Sequence, residues 1–201
     1  MRLIKPSYRV ESEIDQSRIL KSIEKAGRVC YKSEGKIEEE SAEKFVAKII
    51  KSGHESVIEH EAITVRFVCD RGVSHELVRH RLASYSQEST RYCKYRNEGT
   101  FIEPCWEMSP SERAIFISLL ISSERDYMSL LQHGWTPQQA RTVLPNALKT
   151  EVVMTANLRQ WREVLKQRTH KTAHPQMREL MVPLLEELKG KLPVIFGGIN
   201  E

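Results

Sequence analysis

Apolar residues recur along this chain with two periods, mostly every three to four residues and in short stretches every second residue. That mixture restricts the fold to helices packed with a small sheet. Residues 15–31 read as a first helix, with Ile19, Leu20, Ile23, Ala26 and Cys30 at helical spacing and Gly27 weakening the last turn. Residues 32–40 form a polar, acidic loop. Ser41 is the expected N-cap of a second helix carrying Phe45, Val46, Ile49 and Ile50, stopped by Gly53. Ile63, Val65 and Phe67 alternate with Thr64, Arg66 and Val68, which predicts a strand over 62–69. Asp70-Arg71-Gly72 reads as a turn before a short helix over 73–82 with Leu77 and Val78 inward. Residues 84–91 have almost no apolar content and read as a loop, with 92–95 as a returning strand. Ser109-Pro110-Ser111-Glu112 combines a capping box with proline at the first helical position. It opens a long helix carrying Ile115, Phe116, Leu119, Leu120, Tyr127, Leu130 and Leu131, ended by Gly134. Thr136-Pro137-Gln138-Gln139 repeats the start signal for a helix that stops near Pro145. A strand over 151–156, a helix over 158–167 and a helix over 175–188 bent at Pro183 follow. The apolar tail 192–199 is expected to dock on a neighbour. Without an internal repeat or a linker, these elements make one helix-rich α+β domain over residues 1–201.

With 40% apolar and 29% charged residues, the chain buries a real core, and disordered or low-complexity classes are excluded. A net charge of +4 suits an anionic small molecule as well as nucleic acid. No apolar run approaches the roughly 20 residues that a membrane-spanning helix needs, and the N-terminus lacks the apolar stretch of a secretory signal. Cys30, Cys69, Cys93 and Cys105 form no C-x-x-C pair, which points to free thiols in a reducing, cytoplasmic compartment. Cys69 ends the apolar run of its strand and reads as a packed core thiol.

The densest polar signal is residues 79–92, Arg79-His80-Arg81-Leu82-Ala83-Ser84-Tyr85-Ser86-Gln87-Glu88-Ser89-Thr90-Arg91-Tyr92. On a helix, three consecutive side chains fan over roughly 200°, so Arg79, His80 and Arg81 serve two ligands, or one ligand and a neighbouring subunit. Arginine forks bind phosphate and acyl oxygens in pairs, and the hydroxyls and N–H groups of the loop supply short contacts to a phosphate. The bland alternative is a set of cations at a helix C-terminus, worth a few tenths of a kcal/mol to about 1, beside a solvated loop.

Arg79-His80-Arg81 with Ser84, Ser89 and Arg91 resembles the R-H-R-x-x-S-x-x-x-x-S-x-R signature of flavin-dependent thymidylate synthases, six fixed positions in thirteen residues. Gly53-His54-Glu55-Ser56 with Glu59-His60, Arg141 with Val143-Leu144-Pro145, and Asn157-Leu158-Arg159 with Arg168 are similar to further segments of that family. The resemblance implies an α+β fold of the thymidylate synthase-complementing type, helices around a central, mainly antiparallel sheet. It also implies an FAD-dependent methyltransferase, a homotetramer with active sites between subunits. There FAD, reduced by NADPH, helps move a methylene group from methylenetetrahydrofolate to C5 of dUMP and supplies hydride. Carried over, the FAD site comprises Ser56, Arg79, His80, Arg81, Gln87, Asn157, Leu158, Arg159, Glu163 and His174, with His170 competing for the last place. The dUMP site comprises Glu76, Leu77, Val78, Arg79, Gln87, Glu88, Ser89, Thr90, Arg91, Arg141 and Arg168. Arg168 is the implied catalytic residue, a guanidinium at the uracil edge that helps ionise N3. Ser86-Gln87 departs from the Asn-Glu common in the family, so an amide replaces a carboxylate. The implied partners are dUMP, folate and NADPH, with no nucleic acid and no membrane.

Other readings compete. Arg79, Arg81, Arg91, Lys94 and Arg96 interleave with Tyr85, Tyr92 and Tyr95, a pattern able to bind single-stranded RNA, although Glu88 and Glu98 interrupt it. His54 and His60, with an acidic partner, suggest a metal-dependent nucleotide hydrolase. His170 and His174 have a zinc-compatible helical spacing, but no third ligand stands at a recognisable distance, and no metal is expected. Pro104-Cys105-Trp106 is similar to the Pro-Cys-His of the cysteine-dependent thymidylate synthases. Without the histidine, a buried cysteine beside Trp106 is the expectation.

Overall fold

The computed structural model describes residues 1–93, 95 and 98–200; Lys94 and Arg96 of the suggested basic patch, and part of the predicted 92–95 strand, lie outside these. The elements run β1 (Arg2–Ile4), β2 (Ser7–Val10), α1 (Gln16–Val29), α2 (Ser41–Lys51), β3 (Ala62–Asp70), α3 (Arg71–Leu77), β4 (Ala83–Gln87) and β5 (Thr100–Ile102). They continue α4 (Pro110–Gln132), α5 (Pro137–Ala140), β6 (Lys149–Asn157), α6 (Leu158–Thr169), α7 (Pro175–Lys191) and α8 (Pro193–Phe196). The larger sheet, ordered β2-β3-β6-β4, is mainly antiparallel, while β1 and β5 pair in parallel with Leu3 opposite Phe101. The fold is α+β. The chain divides into two compact units, the first Met1–Ser7, Phe67–Arg79 and Tyr85–Val153, the second Tyr8–Arg66, His80–Ser84 and Met154–Glu201.

In the second unit, α1 begins at its predicted cap, the Asp15 carboxylate accepting the Arg18 N–H at 3.0 Å. It buries Ile19, Leu20 and Ile23, each worth about 1.5–3 kcal/mol on removal from water. Cys30, expected on the same face, lies past the helix end and is exposed. Gly27 is there for closeness: a Cβ would stand 2.7 Å from Phe45 Cε1 and 2.9 Å from Val57 Cγ1. Ser41 does not cap α2 but begins it. Its hydroxyl donates at 2.8 Å to the carboxylate of Glu24, which is 1% exposed and also receives Arg28 Nη2 at 2.7 Å. A buried carboxylate needs such donors more than the helix end needs a cap. Gly53, at φ +73°, ends α2 as predicted. Trp161 of α6 is fully buried and donates Nε1–H to the Ile63 carbonyl at 2.9 Å, fastening helix to strand. The helix α7 runs through the exposed Pro183. The 192–199 tail, expected on a neighbour, forms α8 and buries Leu192, Ile195, Phe196 and Ile199 within its own chain.

In the first unit, Phe101, Leu120 and Leu148 form a core on which Leu3, Phe116 and Leu144 pack. The long helix α4 carries the predicted capping box at Ser109 and Glu112, but it buries only Leu120 and Tyr127. Ile115 and Leu119 are 62% and 64% exposed. Asp70 is not part of a turn; its carboxylate caps α3, accepting the Val73 N–H at 2.7 Å, so the helix starts at Arg71. It also ends early, at Leu77. The Leu77 carbonyl, which would accept the Arg81 N–H in a continuing helix, takes the Tyr85 hydroxyl at 2.9 Å. Val78, expected inward, is therefore exposed, and Arg79-His80-Arg81 belongs to the connection into β4 instead of a helix. The expected loop over 84–91 begins as strand β4, its Ala83, Tyr85 and Gln87 half-buried and Ser84 and Ser86 exposed. Cys105, expected to be buried, is only half-buried, and its neighbour Trp106 is exposed.

Candidate active site

The residues implied to hold dUMP all fall in the first unit except Arg168, and those implied to hold FAD all fall in the second except Arg79 and Gln87. In the second unit His80 is buried, 8% exposed, while Arg79 and Arg81 on either side are exposed. The triplet is thus sorted by burial and not by a helical fan. Arg168, half-buried in the last turn of α6, donates its Nε–H to His80 Nε2 at 2.9 Å. A lone pair on Nε2 requires the neutral ring with its proton on Nδ1. Burial, then the neighbouring Arg168 guanidinium, hold the His80 pKa below the ordinary histidine value, against an opposing pull from Glu163.

Asn157 caps α6, accepting the Gln160 N–H at 2.8 Å, and buried Leu158 donates its N–H to the Glu61 carbonyl at 2.9 Å. Arg159 pairs with Glu59 at 2.6 Å. Glu163 accepts a hydrogen bond from Gln167. His174 precedes α7, its carbonyl accepting the Met177 and Arg178 N–H groups, and His170 Nδ1 lies 2.8 Å from Thr172 Oγ1. Ser56 borders a groove of about 900 Å³ walled by Tyr31, Phe45 and Val57 and lined also by Arg28, Lys44 and Lys48 and by Glu38 and Glu40.

In the first unit, Gln87 Nε2 donates to Ser74 Oγ at 3.0 Å and Thr150 Oγ1 at 3.3 Å, tying β4 to α3 and β6. An amide at this position supplies donors that a carboxylate lacks. Glu88 has both carboxylate oxygens engaged, by Tyr95 at 3.1 Å and Lys149 at 3.0 Å, so its side chain braces the loop. Burial, and then Glu88, push the Tyr95 phenol well above its ordinary pKa. The Ser89 hydroxyl accepts the Arg91 N–H at 3.3 Å, and Arg91 Nε reaches Gln138 at 2.9 Å. Thr90, 7% exposed, accepts Arg141 Nη1 at 3.1 Å. Thr90 and Arg141 share a cleft of about 210 Å³ with Arg71 and His75. These last two, one turn apart on α3, were not anticipated. The cleft is too small for a whole nucleotide and suits one anionic end of it. The signal was present, since Arg71 and His75 share one helix face once Asp70 is read as a cap. Glu76, Leu77 and Val78 complete α3 and its C-cap, with the Glu76 carbonyl accepting the Arg79 N–H at 3.3 Å.

The residues fit an anionic dinucleotide such as FAD. Among the described residues no side-chain hydrogen bond or ion pair holds the guanidiniums of Arg79 and Arg81, and the groove at Ser56 has Tyr31 and Phe45 in its walls, with four cations (Arg28, Lys36, Lys44 and Lys48) against two carboxylates (Glu38 and Glu40) around it. Among the described residues no group of three or more His, Cys, Asp or Glu side chains is placed to hold a metal ion.

Residues 14–194 match the family model described as thymidylate synthase complementing protein. A protein of Geobacter sulfurreducens named flavin-dependent thymidylate synthase is 35% identical over 180 residues, 85% of this chain and 78% of that one. Proteins of the same name from Mycobacteroides abscessus and Mycobacterium tuberculosis are 34% and 32% identical, covering 89% and 87% of this chain and 78% and 77% of theirs. The crystal structure of a UMP/dUMP methylase, PolB from Streptomyces cacaoi, bound with 5-Br dUMP, has the same fold, with a TM-score of 0.83 at 21% identity. It covers 98% of this chain and 96% of that one. With its signature arginines and histidine set in this fold, the chain belongs to the thymidylate synthase complementing protein family.

Proposed function

We propose that this chain is a flavin-dependent thymidylate synthase, converting dUMP to dTMP with methylenetetrahydrofolate as one-carbon donor, FAD as redox cofactor and NADPH as reductant. The observation that carries the reading is the Arg168–His80 hydrogen bond, which joins the downstream arginine to the centre of the signature in a chain of this family. Residues 1–201 act as one catalytic domain, and the family match over 14–194 draws on both compact units.

On this reading, Thr90 and Arg141, with Arg71 and His75 beside them, take the phosphate of dUMP. Cationic forks and a hydroxyl in a small cleft are suited to that group. The Arg168 guanidinium faces the uracil edge, where a cation that never yields its own proton stabilises the anion formed as N3 ionises. Arg79 and Arg81 offer their exposed guanidiniums to FAD, and Ser56, Asn157 and Arg159 join the same site. FAD supplies the redox chemistry that side chains lack. No protein nucleophile is needed. Cys69 is buried with its thiol pushed up to about 12, chiefly by desolvation, and Cys105 has no basic neighbour in sequence to make a thiolate.

The chain works as a homotetramer in the cytoplasm. The exposed apolar side chains Ile115 and Leu119 on α4 support contact between copies, and four free cysteines suit a reducing compartment. Among the described residues no helix is long and apolar enough to cross a membrane. A spectrum of the purified protein tests the reading. Yellow protein whose flavin absorbance shifts on adding dUMP is the expected result. Colourless protein that refuses added FAD and copurifies with nucleic acid would support the RNA-binding alternative instead.

A further inference from the structure

We infer that His80 is a positioning residue, whose Nε2 holds the Arg168 guanidinium in the orientation that the pyrimidine requires; this rests on the dUMP-methylating function proposed above. The two side chains belong to one compact unit, and the 2.9 Å Nε–H to Nε2 bond is their direct contact. A bond at Nε fixes both the stem and the plane of the guanidinium. It also differs from the Nη1–Nη2 edge, which a planar pair of acceptors takes together. His80 is the one buried member of its triplet, so the surrounding packing immobilises the ring that does the holding. An arginine stem otherwise carries several free rotations, and a group displaced by about 1 Å loses roughly a hundredfold in rate.

The contact depends on protonation in one direction only. Neutral His80 accepts through Nε2. Protonated His80 carries hydrogens on both nitrogens, has no lone pair to offer, and places a like charge against the guanidinium. Arg168 and Glu163, both on α6, act on the ring with opposite sign, and its chain neighbours Arg79 and Arg81 are exposed. Burial and Arg168 lower the pKa of the ring, so the contact persists through neutral pH and fails as pH falls through that lowered value. Turnover therefore has an acid limb that belongs to His80.

The test uses the FAD-loaded enzyme and two variants, His80→Gln and His80→Leu. The glutamine side-chain oxygen accepts near the Nε2 position and does not titrate; leucine accepts nothing. The expected result is a kcat for His80→Leu about a hundredfold down, with the dUMP dissociation constant changed by less than about twofold. His80→Gln should recover most of that rate and lose the acid limb of the kcat–pH profile. An unchanged acid limb in His80→Gln, or wild-type kcat in His80→Leu, overturns the inference. Loss of flavin from both variants with kcat per bound flavin still at the wild-type value also overturns it, since His80 would then serve the cofactor and not Arg168. Wild-type protein that binds no flavin, or forms no dTMP, would mark the failure of the proposed function instead.

Discussion

Arg168 stands in the last turn of α6, where a cation also gains from the helix dipole, and its Nε–H is engaged by a buried histidine. A side chain so fixed is expected to act on the substrate more than on the fold. Arg168→Ala should lower dTMP formation by at least about a hundredfold while leaving bound flavin, read by absorbance, near wild type. Near-normal turnover would remove the role. Thiols give a contrasting prediction. Cys30 and Cys93 are exposed, whereas Cys69 is buried with its pKa near 12, so a native thiol titration at mildly alkaline pH should spare Cys69 until the protein unfolds. Cys105→Ala should leave catalysis largely intact; a folded but inactive variant would favour cysteine-dependent chemistry. His80 stands within the signature and Arg168 is identified only by resemblance to a downstream segment of the family, whereas the contact between them was not legible, because 88 residues separate the two side chains in sequence. Arg71 and His75 were not legible either, because aspartate and glycine on either side of Arg71 suggest a turn and hide a helix start. The bracing role of Glu88 was hidden as well, since Lys149 is remote in sequence and belongs to another strand.

Helix α3 shows how much one cap decides. The Asp70 carboxylate is 5% exposed and accepts the Val73 N–H, which begins the helix at Arg71 and sets Arg71 and His75 on the cleft. Asp70→Ala should cost about 1–2 kcal/mol, lowering the calorimetric Tm by roughly 2–8 °C. An unchanged Tm would mean that the cap is not what starts the helix. Long elements such as α1, β3, α4 and α7 were readable from the sequence, because each has either a strong cap or a regular apolar period. The strand β4 was not, because Ser-Tyr-Ser-Gln offers no apolar face and its stability comes from hydrogen bonds to α3 and β6. Nor was the three-residue β5, too short to carry a period, which is set by pairing with β1, a strand remote from it in sequence.

For the molecule as a whole, apolar periodicity marks α4 as a helix without saying what covers it. Its buried face is narrow, and Ile115 and Leu119 point to solvent in the single chain. If copies meet there, Leu119→Glu should shift the solution mass to smaller species, and flavin content should fall with it, because the proposed cofactor site draws on Arg79 and Arg81, both exposed in the single chain. A verified monomer with full FAD would contradict the shared pocket. The tail, by contrast, buries Leu192, Ile195, Phe196 and Ile199 in its own chain, and nothing local distinguishes an apolar stretch that folds back in this way from one that meets another chain.

The most direct test of the central claim, that this chain methylates dUMP by a flavin-dependent route with no thiol adduct, is tritium release from C5-labelled dUMP with FAD, NADPH and methylenetetrahydrofolate each left out in turn. Release that matches dTMP formed, and dTMP formation that requires all three, is the predicted result. Full dTMP formation without flavin, or none from protein with both flavin and dUMP bound and all components present, would contradict it.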